Sequence, residues 1–466
     1  MLSRSRATRR RAVSGPALAL AVLAFGAATL ATGAYGVRTQ AGSAASPPSA
    51  TTATSATPTT PAAPAPVSAR APGKASALDQ AREHTREVPQ DAAGWAALAF
   101  TALEAGRASG EPALYAEAQA AEEHSLAIHP QDNDLALAAR AALSDAKHNF
   151  AAALPDARRA LAINPDSAVG LAALTDGLTE LGRTDEALVA ARRLDAVRPG
   201  VTSFTRLSYQ AELRGQVPQA RELMVRAAQD AGTPAQIAFA RAHEGLLALS
   251  VGDLPGARVA WRAGVAAAPD DVDLLHLQAR IAVNAGDLRG AAKLYAALVA
   301  RRPSPANASE QADVLQALGD GAGARTAVIV AQAGFALSAR SGVGAEGIQV
   351  LFQAEHATGR AAAAAAVPLG QEVWRRSPTT GNADALAWAL HLVGQDRAAL
   401  PYAERALALG SHQSGFLYHR GAILAALGRR APAIADLRAA LARRAFFSPL
   451  EAPAAQRLLA PLVARS

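Results

Sequence analysis

The sequence predicts an all-α fold, an α-solenoid in which pairs of helices repeat along the chain and stack into a superhelix. Three regular features predict it: glycines about 34 residues apart, alanines five residues after most of them, and prolines that close the units. From Gly182 to Gly428 the successive gaps between the glycines are 33, 37, 34, 33, 40, 35 and 34 residues. Seven gaps close to one period indicate a repeat architecture.

The glycines predict the turn inside each helix pair. Glycine adopts the left-handed conformation that ends a helix without the steric penalty of a Cβ atom. The glycines between Gly182 and Gly428 are Gly215, Gly252, Gly286, Gly319, Gly359 and Gly394.

The alanines and prolines predict how each pair packs and where it stops. Alanine lets two crossing helices approach closely, and proline cannot continue a helix interior. The alanines are Ala187, Ala220, Ala257, Ala291, Ala324, Ala399 and Ala433, and the prolines are Pro130, Pro165, Pro199, Pro269, Pro303 and Pro378.

These units resemble tetratricopeptide repeats, over about ten repeats that cover residues 92–445. The resemblance implies a right-handed superhelix whose concave groove is lined by the first helix of each pair. The second repeat departs from the pattern, with His148 in place of the turn glycine. The eighth departs most, because Ala361–Ala366 blurs the turn and Pro368 follows closely.

The N-terminal segment, residues 1–38, is predicted to be a signal peptide or a signal anchor helix. Five arginines between Arg4 and Arg11 precede an uncharged run, Ala12–Val37, that is long enough to cross a bilayer. The sequence leaves two outcomes open: a single-pass membrane protein with its C-terminal part outside, and a cleaved, secreted form.

Three further segments follow. Residues 39–74 are rich in Ala, Ser, Thr and Pro and are predicted to be a disordered linker. Residues 75–447 are predicted to form the solenoid. Residues 448–466 are predicted to form a C-terminal capping helix and tail.

The net charge of +7 lies in the N-terminal tail. Residues 1–74 contain eight basic and no acidic side chains, which leaves a charge of −1 for residues 75–466. Nucleic-acid binding needs a basic surface, so it is disfavoured, together with the RNA-binding helical repeats of similar length. The absence of cysteine excludes disulfides, thiolate metal clusters and cysteine nucleophiles.

Catalytic motifs are also missing. The spacing G-x-G-x-x-G occurs at Gly342–Gly347, but a helix and not a strand is predicted before it, so it is interpreted as a loop between the seventh and eighth repeats. We therefore expect no enzyme activity, no catalytic residues, no cofactor and no metal site.

The groove predicts a non-catalytic scaffold for protein–protein interaction. Aromatic, Arg and Asn side chains suit an extended peptide or a helix of a partner protein. The candidate residues, placed by analogy with the inner positions of the repeat family, are Arg206, Tyr209, His243, His276, Arg280, Asn284, Asp313, Gln353, Trp388, His391 and Tyr418.

An alternative is an extracytoplasmic protein that binds a metal or another solute through groove histidines. Imidazole is a common ligand of transition metals. Five histidines fall on the predicted groove face, but their spacing, about 30 residues or more, argues against a shared site. They are His243, His276, His356, His391 and His419.

Overall fold

The computed structural model describes residues 76–109, 111–340, 342–442 and 447–464, and every regular element within them is a helix. The predicted signal or anchor and the predicted linker lie outside the described residues. The helices are α1 (Ala77–Glu87), α2 (Ala92–Ser109), α3 (Pro112–Ile128), α4 (Asp134–Ala146), α5 (Phe150–Ile163), α6 (Ala168–Glu180), α7 (Thr184–Val197), α8 (Val201–Leu213), α9 (Val217–Asp230), α10 (Pro234–Ser250), α11 (Leu254–Ala267), α12 (Val272–Asn284), α13 (Leu288–Arg301), α14 (Pro305–Ala317), α15 (Gly321–Arg340), α16 (Gly347–Glu355), α17 (Arg360–Ala363), α18 (Ala366–Arg376), α19 (Thr380–Leu392), α20 (Asp396–Leu407), α21 (Ser414–Ala426), α22 (Arg430–Ala442) and α23 (Glu451–Ala464).

The helices pack in consecutive pairs from α2 with α3 to α21 with α22, which makes ten pairs in the described residues and confirms the predicted α-solenoid. In the eighth pair the second helix is broken into α17 and α18, at the stretch where the sequence pattern is blurred. Before the first pair, α1 packs on α2, and after the last pair α23 packs on α22. Leu458, Leu459 and Leu462 of α23 contact the core that α21 and α22 share.

The turn inside each pair follows the predicted chemistry. All eight turn glycines have a positive φ, and His148 takes the same conformation, with φ 59°. In three successive repeats an aspartate after the glycine caps the second helix, and each carboxylate accepts a hydrogen bond from a backbone N–H three residues on. These bonds run from Gly256 to Asp253 (2.8 Å), from Gly290 to Asp287 (2.8 Å) and from Gly323 to Asp320 (2.9 Å).

The predicted alanine crossings are confirmed. A small side chain at each crossing lets the backbones of the two helices approach closely. Six of the seven alanines are 0% exposed, and Ala324 is also buried; the six are Ala187, Ala220, Ala257, Ala291, Ala399 and Ala433.

The first helix of each pair faces inward and the second faces outward. Most residues of α8, α19 and α21 are buried, including polar ones, whereas α9 and α11 bury only a narrow stripe. Large apolar side chains are exposed on the outer helices, namely Val189, Val259, Ile329 and Leu337. One of these helices, α15, is long and apolar enough to cross a membrane by length and composition, but it packs on α14 as the second helix of the seventh pair.

The superhelix closes on itself after just under six repeats, so that its second turn touches its first. The Nδ1 atom of His148 donates to the carbonyl of Gly344, 196 residues away, at 3.1 Å. The Ser377 hydroxyl donates to Glu180, 197 residues away, at 3.2 Å. The G-x-G-x-x-G segment is thus a loop between the seventh and eighth repeats, as predicted, and it contributes to this contact.

Two turn glycines lie at the contact between the superhelical turns. A Cβ atom on Gly182 would lie 2.7 Å from the carbonyl oxygen of Pro378, and one on Gly215 would lie 2.2 Å from that of Gly410. Both distances are too short for a real side chain. The contact between the turns therefore requires glycine at these positions for space as well as for their positive φ.

Candidate functional site

The inner side of the superhelix is the candidate site, since all eleven predicted groove residues lie on first helices. Five of them are buried: Arg206, Tyr209, His276, Trp388 and Tyr418. The other six remain partly exposed: His243, Arg280, Asn284, Asp313, Gln353 and His391. Their role in partner binding stays a prediction.

Polar side chains on the inner side pair with side chains one repeat away. Arg206 on α8 donates through Nε and Nη2 to the carboxylate of Asp176 on α6, at 2.9 and 2.6 Å. Gln210 donates to Thr179 across the same two helices, at 2.8 Å. The stacking of the repeats brings equivalent positions together, so a residue meets another about 30 to 35 positions away along the chain.

The central cluster consists of His276, Arg280, Tyr295 and Glu310. The carboxylate of Glu310 accepts hydrogen bonds from His276 Nε2 (3.0 Å) and from the Tyr295 hydroxyl, and Arg280 Nη1 lies 3.6 Å away. Burial alone would raise the pKa of Glu310, but the attraction of His276 and Arg280 and the two hydrogen bonds outweigh it and lower the pKa to about 2. Glu310 is therefore ionised throughout the physiological range.

The C-terminal cluster consists of Asp313, Glu355, Asp384, His419 and Glu451. His419 lies at its centre: Nδ1 is 2.9 Å from Asp384 Oδ2, and Nε2 is 2.9 Å from Glu451 Oε1. Glu451 comes from the first turn of α23, so the capping helix contributes a charged group to the inner side. The cluster brings together side chains from α14, α16, α19, α21 and α23.

Burial and then mutual repulsion raise the pKa values of acidic groups in the C-terminal cluster. Burial, followed by the charges of Glu451 and Glu310, raises the pKa of Asp313 to about 8. Part of the Glu355 side chain reaches solvent, yet the protein around it and the charges of Glu451 and Asp313 raise its pKa well above the ordinary value. Burial would lower the pKa of His419, but Asp384 and Glu451 outweigh burial and raise it. The cluster is acidic and holds its imidazole between two carboxylates.

Aromatic rings support this cluster. The Trp388 ring stacks on His419, with centroids 4.0 Å apart and an interplanar angle of 15°. Its Nε1 atom donates to Glu355 Oε1 at 2.9 Å. Trp388 therefore positions an imidazole and a carboxylate at once. The burial of Trp388 argues against a role as an exposed aromatic surface for a peptide.

Two narrow crevices lie between the superhelical turns. One is lined by His148, Glu180, Glu346, Arg376 and Ser377, among others. The other is lined by Glu212, Gly215, Val217, Ser250, Ser411, His412 and Gln413. Both carboxylate oxygens of Glu212 are buried and have no hydrogen-bond partner in the part of the chain that the structure describes, and burial raises the pKa of Glu212 to about 8. Glu212 is therefore mostly protonated at neutral pH.

Sequence reasoning missed several charged residues on the inner side, notably Asp176, Glu355 and Glu451. A usable signal was present, because Asp176 and Arg206 have opposite charges about one period apart, and so do His419 and Glu451. Aligning the repeats and searching for such pairs would have identified them. The spacing between the histidines could not identify these pairs, because the charged groups that contact the histidines are carboxylates.

Comparison with known proteins adds likenesses of fold only. The chain matches no protein-family model and no curated protein sequence. Solved structures with similar folds include the hetero-tetramer Cut9–Hcn1 of the APC/C, with 14% identity, a TM-score of 0.43, and coverage of 79% of this chain and 76% of that one. A tetratricopeptide repeat protein from Parabacteroides merdae has 11% identity, a TM-score of 0.32, and coverage of 70% and 97%. The protein TTC0263 of Thermus thermophilus, also of this repeat type, has 22% identity, a TM-score of 0.34, and coverage of 40% and 97%.

Proposed function

We propose that this chain is a non-catalytic scaffold for protein–protein interaction, with a partner protein or peptide bound on the inner side of the superhelix. The observation that supports it is the run of partly exposed polar side chains on successive first helices, from His243 on α10 to His391 on α19. Side chains of this type can hydrogen-bond to the backbone of an extended segment.

The charge of the inner side favours a protein partner over a nucleic acid. In the C-terminal cluster the carboxylates of Asp384 and Glu451 pair with His419, so this imidazole does not offer its positive charge to phosphate groups. The Arg280 guanidinium, whose charge acts on Asp313, already lies beside Glu310.

We further propose that the solenoid lies on the extracytoplasmic side, either anchored by the N-terminal helix or released after its cleavage. The support is the arginine cluster followed by the uncharged run Ala12–Val37, since positive charge is retained on the cytoplasmic side.

A single experiment tests both the location and the partner, because the chain contains no cysteine. Gln353→Cys places one thiol on the inner side, and Val259→Cys places one on the outer side, where the native side chain is 62% exposed. Intact cells that produce the full-length variant are treated with a membrane-impermeant maleimide that carries a benzophenone, and are then irradiated. We expect both variants to be labelled and Gln353→Cys alone to give a discrete protein adduct.

The outcomes separate the two proposals. Labelling of Val259→Cys only after cell lysis would contradict the extracytoplasmic location. If both variants are labelled but give the same protein adducts, or if neither gives an adduct, partner binding on the inner side is contradicted.

A further inference from the structure

The C-terminal cluster combines the ligand types of a divalent metal site. Three side chains, those of Glu355, His419 and Glu451, each offer one ligand atom, and these three atoms lie within 4.8 Å of one another. Zinc binds imidazole nitrogen and carboxylate oxygen at about 2.0 to 2.2 Å, so the ligand atoms of one tetrahedral ion lie about 3.3 Å apart. Small rotations of the two carboxylates would bring the three atoms to that separation.

Two further side chains orient these groups. Asp384 contacts Nδ1 of His419 with both carboxylate oxygens, at 2.9 and 3.0 Å, and this fixes the ring so that Nε2 faces Glu451. A carboxylate on the distal nitrogen is the usual support of a metal-binding histidine. Trp388 holds Glu355 through its Nε1 atom.

A second histidine next to the cluster provides independent support. His356 follows Glu355 in the chain, and its side chain is 6% exposed. Its Nε2 atom has no hydrogen-bond partner among the described residues and lies 3.4 Å from Asp313 Oδ1. Asp313 in turn interacts with the charges of Glu355 and Glu451. A buried imidazole nitrogen that makes no hydrogen bond among the described residues, beside crowded acidic groups, is what a site that lacks its cation would contain.

We propose that Glu355, His419 and Glu451 bind a zinc-type divalent metal ion on the inner side of the superhelix, in addition to any partner protein. Binding of the ion releases to solvent the proton on His419 Nε2 and any proton on Glu355, and Asp384 keeps its contact with Nδ1. A fourth position stays open to water. Because Glu451 belongs to α23, the ion ties the capping helix to α16 and α21.

The test is isothermal titration of the purified full-length chain with Zn²⁺, and separately with Ca²⁺. We expect one zinc ion per chain, and an affinity at least ten times weaker in Glu355→Gln. The side-chain amide in this variant can still accept the hydrogen bond from Trp388, so the variant should keep its fold, and circular dichroism checks that it does. The matched control is His276→Gln, which removes an inner histidine that lies beside Glu310 in the central cluster, and we expect it to bind zinc as the wild type does.

A second readout keeps the proposal falsifiable if Glu355→Gln alters the fold. Co²⁺ replaces zinc in such sites and gives visible absorption bands that report nitrogen and oxygen ligands, so Glu451→Gln should weaken these bands at equal cobalt. The proposal is overturned by absence of zinc binding in the wild type, by unchanged binding in folded Glu355→Gln or Glu451→Gln, or by Ca²⁺ binding as tightly as Zn²⁺. The last result would indicate an acidic patch without imidazole coordination.

Discussion

Gly215→Ala should destabilise the protein and separate the two turns of the superhelix. Gly286→Ala should destabilise the protein less and should leave the two turns in contact. Both glycines have a similar positive φ, +68° and +79°, so alanine in the left-handed conformation costs about 1 to 2 kcal/mol at either position. At Gly215 the new Cβ atom would also meet the carbonyl oxygen of Gly410 at 2.2 Å, while at Gly286 no atom of the described residues would lie within 4 Å of it.

The measurements are chemical unfolding and small-angle X-ray scattering of the two variants and the wild type. We expect a larger loss in the free energy of unfolding for Gly215→Ala, and a larger radius of gyration for that variant alone. Equal losses with equal radii would mean that the turns do not touch at this position.

Glu310→Gln should lower the free energy of unfolding by about 3 to 5 kcal/mol, because it removes the charge that His276 and Arg280 surround. Glu310 accepts hydrogen bonds from His276 and Tyr295, and its side chain is 12% exposed. An amide of the same shape cannot balance the positive charge of Arg280. Chemical unfolding at neutral pH measures the loss.

The matched control is Glu186→Gln, which breaks an exposed ion pair with Arg183 on α7. Exposed pairs contribute little to stability, so we expect almost no change. A similar loss in the free energy of unfolding in both variants would show that Glu310 contributes no more to stability than an exposed ion pair does.

The same residue predicts a dependence on pH. The pKa of Glu310 is about 2 in the folded chain, against an ordinary value of 4.5. Its ionised form therefore stabilises the folded state fully above about pH 5, and this contribution is lost as the pH falls toward 2. The wild type should lose more stability over that interval than Glu310→Gln, and parallel curves would contradict the assignment.

The helix pairs could be predicted from sequence because their causes are local. A glycine with positive φ, an alanine at a crossing and a proline at a helix end each act within a few residues, and the period repeats them. The eighth pair confirms this: where Ala361–Ala366 blurred the pattern, the helix is broken. The loop at Gly342–Gly347 was also recognised as a loop.

The closure of the superhelix could not be predicted in this way. It depends on small rotations that add up over almost six repeats, so no local pattern encodes the contact of Gly215 with Gly410. The candidate site could be predicted only in part, because its side chains also depend on contacts between repeats. The first helices lie inside, as the repeat pattern predicts. The burial of Arg206 and Trp388 follows from partners one repeat away, Asp176 and Glu355, which no local pattern connects to them.

The contact between the two superhelical turns determines which side chains the inner side encloses. Its most direct test is a cysteine pair, His148→Cys with Glu346→Cys, in the otherwise cysteine-free chain. The native side chains approach within 3.2 Å across the turns. A short bismaleimide cross-linker added to the purified full-length protein should join the two thiols within one chain, because it spans the gap that the shortened side chains leave. The product is seen as a shift in gel mobility that neither single variant shows. A folded double variant whose two thiols react with maleimide but do not become cross-linked would contradict the closed superhelix.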